Sequence, residues 1–513
     1  MEAVSTNNKR IAKNTILLYF RMFIMVAVAL FTSRVVLQTL GIEDYGIYNV
    51  VGGIVSLMGV VNAALVVATQ RFITYELGVG DVGKVNKIFS ASIVCFAILS
   101  LIIFVLAETV GVWFLNNKMV IPDNRIVAAN WLLQFSILAC INTLMANPYN
   151  ACIIAHEKMN VYAYVSILEV VLKLVVVYLL LIIPFDRLIV YGVLILLCQF
   201  TVTMVYRIYG IRNFKECKIV IHKDSAIYKK MFSFTSWNLL GSIANLLQTQ
   251  GLNILLNLFF NPSINASRGI ATQVNNNVGN FFNNFFTAVR PQIIKYYSVG
   301  DKENLYKLIN RSSRFSYYLI LLISLPVILE ATDLLRLWLG IVPDYAVIFT
   351  QLMIAITAVD AISNPLMTLA QANGNIKMYS IVNGSLLLTI VPLSYVCLKL
   401  SLGPTSVFIV ALTIATICLF ARMLLLKRMV NFDIFSYMKK SLLPILMVTI
   451  VASVPPILLK ENMNIGNVIS FILVICTSVF STIIAALFLG MSSVERQKIF
   501  KMTHIDRIFK SHI

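Results

Sequence analysis

The sequence predicts an all-α polytopic membrane protein with about fourteen transmembrane helices. They form two six-helix lobes related by a pseudo-two-fold axis along the membrane normal, plus two further helices. Three observations carry this. The chain is 59% hydrophobic and only 12% charged, with mean hydropathy +0.86, where soluble domains carry about 25% charged residues. Its connections alternate between short and basic. Its two halves repeat one another.

Apolar stretches of about 20 residues or more, the length a bilayer requires, lie near 14–38, 45–70, 88–115, 127–154, 160–184, 188–209, 232–260, 264–290, 312–338, 345–371, 377–400, 405–428, 436–459 and 466–490. The connections Gly41–Asp44, Asn116–Arg125, Phe185–Arg187, Asn261–Ser263, Gly340–Asp344, Ser401–Pro404 and Lys460–Gly466 hold only Lys118, Arg125, Arg187 and Lys460 as cations. The alternate connections hold most of the Lys and Arg, including Lys215, Lys218, Lys229 and Lys230 in one loop and Lys302, Lys307, Arg311 and Arg314 in another. The positive-inside rule places that side, and both termini, in the cytoplasm. The net charge of +19 is therefore a topology signal, and no nucleic-acid partner is expected. The basic first thirteen residues lead straight into a full-length span, so no cleavable signal peptide is expected. From Ser492 onward, apolar residues such as Val494, Ile499 and Ile505 alternate with Arg496, Lys498 and Lys501. That suits a basic amphipathic helix on the inner membrane surface, with a solvated tail as the alternative.

The repeat is read from matches in register. Arg71, Val79-Gly80-Asp81 and Lys87 recur as Arg290, Val299-Gly300-Asp301 and Lys307, and Asn147-Pro148 with Lys158-Met159 recur as Asn364-Pro365 with Lys377-Met378. The offset is 217–220 residues throughout. Six spans per copy is an even number, so the copies share one orientation, the plan of a transporter with two lobes around a central site. The expected division is an N-terminal lobe at 1–211, a basic cytoplasmic linker at 212–231, a second lobe at 232–430, two added helices at 431–490 and the basic tail at 491–513.

Spans seven and eight stand apart because they are full of amides. Asn245 and Gln248 lie on the first, and Asn276, Asn280 and Asn283 accompany Arg268 on the second. At 100° per residue, Arg268, Thr272, Asn275, Asn276, Gly279 and Asn283 share one stripe, opposite Ile270, Phe281 and Phe285. An arginine at the centre of a membrane helix costs roughly 2.5–3.5 kcal/mol. Such a stripe is expected to face water or a polar substrate; a polar seam between helices is the plainer reading. Spans one, two, seven and eight contain no Asp or Glu, but do contain Arg21, Arg34 and Arg268, with Arg71 and Arg290 at or just past inner ends. Arginine offers a fixed fork of donors matched to phosphate and carboxylate, and amides suit sugar hydroxyls. The lining therefore fits an anionic, sugar-bearing ligand and not an organic cation. Snorkelling is the plainer reading for Arg34 and Arg268, and topology anchoring is favoured for Arg71 and Arg290. Coupling candidates are the i,i+4 pair Glu169 and Lys173 on span five and the solitary Asp360 on span ten. Glu108, Glu330, Asp333 and Arg336 are expected at the outer interface.

Enzyme signatures are absent. All four histidines fall in cytoplasmic or tail regions, there is no P-loop, and no large outer loop is present to hold a catalytic site. The eight cysteines sit singly, without metal-type spacing or a disulfide framework. No cofactor or metal is expected, beyond coupling to a proton or sodium gradient.

Ser33-Arg34, Leu40-Gly41, Asp44-Tyr45-Gly46-Ile47-Tyr48 and Ala68-Thr69-Gln70-Arg71-Phe72 with Gly78, together with Arg268-Gly269-Ile270-Ala271 and Arg290-Pro291-Gln292, resemble the bacterial O-antigen and capsular oligosaccharide flippases. The resemblance covers essentially the whole chain. It extends to a superfamily that includes lipid II flippases and multidrug and toxin extrusion antiporters. It implies a multi-pass protein of the bacterial inner membrane that moves an undecaprenyl-pyrophosphate-linked oligosaccharide to the outer leaflet by alternating access. Membrane lipids, a polysaccharide polymerase and a chain-length protein are the further partners implied. Lipid II flippases carry cavity arginines on spans one and eight, and Arg21 and Arg268 are similar in placement. The acidic residue that many drug antiporters carry on span one has no counterpart. A multidrug or cation antiporter and a polytopic enzyme of polysaccharide assembly are the alternatives.

Overall fold

The computed structural model describes residues scattered between 17 and 51, and then 59–117, 121–220, 225–260, 262–339, 342–462 and 468–502. Among these residues the chain is helical, with no strand. The long helices are α1 (Gly59–Val79), α2 (Val82–Leu106), α3 (Ile126–Ala155), α4 (Met159–Ile182), α5 (Arg187–Asn213), α6 (Ser225–Phe259), α7 (Pro262–Ser298) and α8 (Lys302–Leu329). They are followed by the short α9 (Ala331–Leu339), then α10 (Ala346–Asn373), α11 (Lys377–Lys399), α12 (Ser406–Val430), α13 (Leu443–Asn462), α14 (Val468–Ala485) and α15 (Ser493–Met502). Ten helical segments among the described residues are long and apolar enough to cross a membrane. The chain is thus a polytopic all-α membrane protein. Helices α6 and α7 are long enough but stand outside that set, since their amides dilute the apolar character.

Several expected boundaries move, furthest at spans nine and two. Span nine begins earlier, at Lys302, and breaks at Glu330 before the separate α9. The helix of span two runs on to Val79 and so takes in Glu76, beyond the acid-free stretch read from the sequence.

The chain packs as two compact units, one of residues 1–242 and 294–301, the other of 243–293 and 302–513. In the first, α3 lies along α5, α1 and α2, and α4 packs on α5. The core holds Ile73, Phe89, Tyr149, Cys152 and Ile153, with the Phe89 and Tyr149 rings edge to face at 5.1 Å. In the second, α10 packs on α12 and α8, α11 on α12, and the paired α13 and α14 on α8. Phe349 and Phe408 meet there at 4.5 Å between ring centroids. Bilayer lipid is as apolar as leucine, so helix association in a membrane relies on close packing at small residues. Gly210 of α5 lies against Tyr149 of α3, and Gly251 of α6 against Val391 of α11; a Cβ would come within 2.9 Å and 2.8 Å of those side chains.

Two turns expected on the inner side are built alike at matched positions of the sequence repeat. Gly80 and Gly300 take positive φ, 89° and 74°, and end their helices by backbone bonds alone. Asp81 N–H donates to Glu76 C=O at 3.2 Å, and Asp301 N–H to Tyr296 C=O at 3.0 Å, both the six-to-one bond of a Schellman cap. Asp81 then starts α2, its carboxylate accepting from Lys84 N–H at 3.0 Å. At the second matched position Glu157, φ 58°, and Gly374, φ 87°, stand 217 residues apart and again follow a helix with an internal proline, Pro148 or Pro365.

At the opposite end of the first unit one arginine gathers three expected outer connections. Arg125 Nε donates to Asp44 Oδ1 at 2.7 Å, its Nη2 reaches Asp44 Oδ2, and its Nη1 donates to Asp186 Oδ2 at 2.5 Å. Arg187 donates to Thr39 C=O at 2.9 Å. Burial alone would raise the Asp186 carboxyl, but hydrogen bonds from Arg125 and from the Leu188 and Ile189 N–H groups outweigh it and hold the group below its ordinary range. In the second unit, Ser267 donates to Asp344 C=O at 2.6 Å. There too Lys460 lies 3.3 Å from Glu330, whose carboxylate is buried rather than displayed at an interface.

Candidate functional site

The amide-rich stretch forms α6 and α7, and no Asp or Glu lies in either helix. Along α7, Ala271, Val278, Phe282, Phe285, Phe286, Ala288 and Val289 are buried, while Gly269, Gln273, Asn276, Asn277, Asn280 and Asn283 are exposed. Phe282 and Phe286 pack with Ile354 and Ala361 of α10. The helix is therefore two-faced, as the sequence pattern required, but its polar side divides. Thr272 and Asn275 are half-buried toward α10, where Thr357 Oγ1 donates to Asn275 Oδ1 at 2.7 Å. The open amide face is carried by Asn276, Asn280 and Asn283, turned further round the helix than the stripe read from sequence.

Arg268 is half-buried and bends back onto α6, Nη2 donating to Thr249 C=O at 2.7 Å. Its Nε is buried with no hydrogen-bond partner among the described residues. One edge of the guanidinium is thus spent on positioning. Of the α6 candidates, Asn245 is exposed and Gln248 half-buried. Arg268, Asn245, Gln248, Asn276, Asn280 and Asn283 all belong to the second unit.

Arg21 lies in the first unit. Its guanidinium sits 4.4 Å from the centroid of the Tyr162 ring, and Nε is buried without a hydrogen-bond partner among the described residues. Arg21, Ser166 and Glu169 all bear on Tyr206. The Glu169–Lys173 pair closes at 2.7 Å, half-exposed, so an expected binding arginine and the expected coupling pair fall in one polar neighbourhood. Arg34 lies outside the described residues.

Asp360 of α10 has company that the sequence did not reveal. Arg422 of α12 is its electrostatic partner, and Arg422 Nε donates to Asn383 Oδ1 of α11 at 3.2 Å. In sequence Arg422 lies 62 residues from Asp360, and nothing local ties the two together. Arg71, favoured as a topology anchor, is instead 7% exposed and ringed by aromatics. Its guanidinium lies 4.6, 5.0 and 5.5 Å from the ring centroids of Phe72, Tyr75 and Phe234. A desolvated cation over ring faces gains about 2 kcal/mol, which suits a core cation rather than a surface anchor. Arg290 is half-buried near the Phe286 ring at 5.6 Å.

No family model matches the sequence. No curated protein matches it either. The backbone does have close likenesses among solved structures. An outward-facing MATE family transporter of the MOP superfamily superposes with TM-score 0.70, at 14% identity, covering 82% of this chain and 95% of the other. The chain has the MATE transporter fold. The MATE transporter ClbM in complex with Rb+ gives TM-score 0.68 at 16% identity, over 84% of this chain and 97% of the other. The bent form of the Vibrio cholerae MATE transporter VcmN gives 0.65 at 15% identity, over 86% and 100%. Coverage of nearly the whole of those chains means that the MATE fold accounts for the bulk of this one. The remaining residues lie on this chain's side of the match.

Proposed function

We propose that this protein is a membrane transporter. The observation that carries the reading is the MATE fold, matched at TM-score 0.70 over 82% of the chain. Two substrate classes follow from different observations.

A multidrug or cation antiporter is favoured by the neighbours themselves, which are named as MATE transporters, one a multidrug resistance protein and one bound to Rb+. In that reading Asp360, with Arg422 beside it, is the carboxylate that exchanges a proton or a sodium ion. The lipid-linked oligosaccharide reading is favoured by α6 and α7, which hold no carboxylate and expose amides along one face near Arg268. That surface offers a cation amide oxygens but no carboxylate, whereas a pyrophosphate and sugar hydroxyls find both donors and acceptors on it. The glycan head cannot cross hydrocarbon unaided, since its polar groups would lose hydration. In this reading the protein works in a bacterial inner membrane, alongside a polysaccharide polymerase and a chain-length protein.

One experiment separates them. The gene is expressed in a strain lacking its own O-antigen flippase and, in parallel, in a strain lacking its main drug efflux pumps. Restored surface glycan supports the oligosaccharide reading. Reduced accumulation of a fluorescent organic cation, abolished by Asp360→Asn, supports the antiporter. Neither effect, at matched protein level in the membrane, rejects both.

A further inference from the structure

In the first unit, three groups with metal-ligand chemistry converge although the sequence scatters them, and a fourth, Cys217, follows one of them directly in the chain. Cys152 stands in the last turn of α3 and His156 one turn on, at the helix end. Glu216 and Cys217 belong to a single 3-10 turn, Lys215–Cys217, that follows α5. Cys152 Sγ, His156 Nε2 and a Glu216 carboxylate oxygen lie within 4.8 Å of one another. Cys152 Sγ is 3.9 Å from Glu216 Oε1, and His156 Nε2 is in hydrogen-bond contact with that same oxygen. The thiol of Cys217 faces that of Cys152. Cys152, Glu216 and Cys217 are 0%, 5% and 1% exposed.

The surroundings hold these donors in place. The His156 ring stacks on Phe214 with centroids 4.2 Å apart, which fixes its plane. Asn86 Nδ2 donates to the C=O groups of Glu216 at 2.9 Å and Lys218 at 2.7 Å, pinning the turn to α2. Outer partners of this kind are what orient ligands at built metal sites. Ligands sharing a tetrahedral zinc, with bonds of about 2.0–2.3 Å, stand roughly 3–4 Å apart. The observed spacing meets that with small side-chain rotations.

We infer that Cys152, His156 and Glu216, completed by Cys217, form a structural site for a tetrahedral d-block cation, with zinc the expected ion. Two sulfurs, one imidazole and one carboxylate are a soft-to-borderline donor set that suits zinc over magnesium or calcium. Binding displaces the protons now held on the thiols and between His156 and Glu216. Its mechanical effect is to fasten the turn at 214–218, and with it the start of the basic connection toward α6, to the end of α3. The inference stands whichever substrate the protein carries.

The test uses the full chain purified in detergent through a tag without histidine. Zinc content is measured by mass spectrometry after dialysis, and zinc is then exchanged for cobalt. The expected result is about one ion per chain and a thiolate-to-cobalt charge-transfer band. Cys152→Ser and Glu216→Gln should each weaken binding by more than the roughly 10–100-fold typical of losing an outer partner. Should those variants fail to accumulate, the wild-type protein still answers. Zinc should raise its thermal unfolding temperature in detergent, and a chelator should reverse the rise. No bound ion, binding equal in the variants, a Cys152–Cys217 disulfide without metal, or unfolding indifferent to zinc would each overturn the assignment.

Discussion

Glu157 and Lys295 lie 138 residues apart in sequence, yet Lys295 Nζ donates to Glu157 Oε1 at 2.7 Å, and the carboxylate is almost wholly buried. The pair sits on a turn where glutamate is a poor conformational choice. Its φ of 58° is left-handed, and the matched position in the second copy is Gly374. A non-glycine residue there costs roughly 1–2 kcal/mol. Against that cost, the Glu157 side chain supplies a buried partner for Lys295.

That division of labour is measurable. Glu157→Gly removes the ion pair but relaxes the backbone, whereas Glu157→Ala removes the pair and keeps the strain. Thermal unfolding in detergent should rank wild type above Glu157→Gly and Glu157→Gly above Glu157→Ala. The two variants should differ by about 1 kcal/mol. An alanine variant as stable as the glycine variant would show that the turn is unstrained.

Gly78 is a close-approach glycine. A Cβ there would come within 1.9 Å of Ser298 Oγ and 3.3 Å of the Lys295 Cα. Gly78→Ala should destabilise by about 1–3 kcal/mol, the usual range for overpacking. Adding Ser298→Gly should recover most of that loss, because the worst contact is with a side chain. Failure of the double variant to recover would place the clash in the backbone.

Acid should loosen the end of the first unit that Arg125 gathers, through Asp186. Its folded-state pKa is depressed below 3.8, so its contribution is fully present above the unfolded value. It is lost as pH falls from about 4 through the lower folded value. In a series of melts from neutral pH downward, Asp186→Asn should start less stable and fall less steeply below pH 4 or so. Parallel curves would mean that the Arg125 contact does not couple to folding.

Arg268 carries the sharpest functional expectation. Thr249 holds one edge of the guanidinium, and its charge lies beside the exposed amides of α7. In whichever strain reports transport, Arg268→Lys should retain part of the activity, keeping charge without the fork. Arg268→Ala should abolish it, and Arg268→Glu should do so as well if the substrate is an anion. For an organic-cation substrate the glutamate variant should be the more active of the two. Single changes at Asn276, Asn280 or Asn283 should be milder, since one hydrogen bond contributes about 0.5–1.5 kcal/mol net. Normal transport in both Arg268→Ala and Arg268→Glu would leave this residue a structural tie between α6 and α7.

Much of the fold was legible because its signals are local. Apolar length marks helices α2 to α5 and α10 to α14, and the Gly80 and Gly300 turns announce the repeat through residues within six positions of each other. The two-faced character of α7 was legible for the same reason, because 3.6-residue periodicity is a property of one helix. What escaped was non-local. Arg422 beside Asp360, the aromatic ring around Arg71 and the meeting of Cys152 with Glu216 depend on which helices become neighbours. Periodicity within a helix does not encode that. The exact turn of the α7 amide face was also missed, because burial of Thr272 and Asn275 is decided by α10.

The Schellman cap at Gly80 has a bearing on how the chain enters a bilayer. A helix end within reach of lipid cannot leave carbonyl groups bare, and water or a later segment must otherwise cover them. Here the Glu76 carbonyl is met from within the turn, by the N–H groups of Gly80 and Asp81, and the next helix begins on the Asp81 carboxylate. The cap of α1 is thus local to the chain around it, and the Gly300 turn shares that independence through Tyr296 and Asp301.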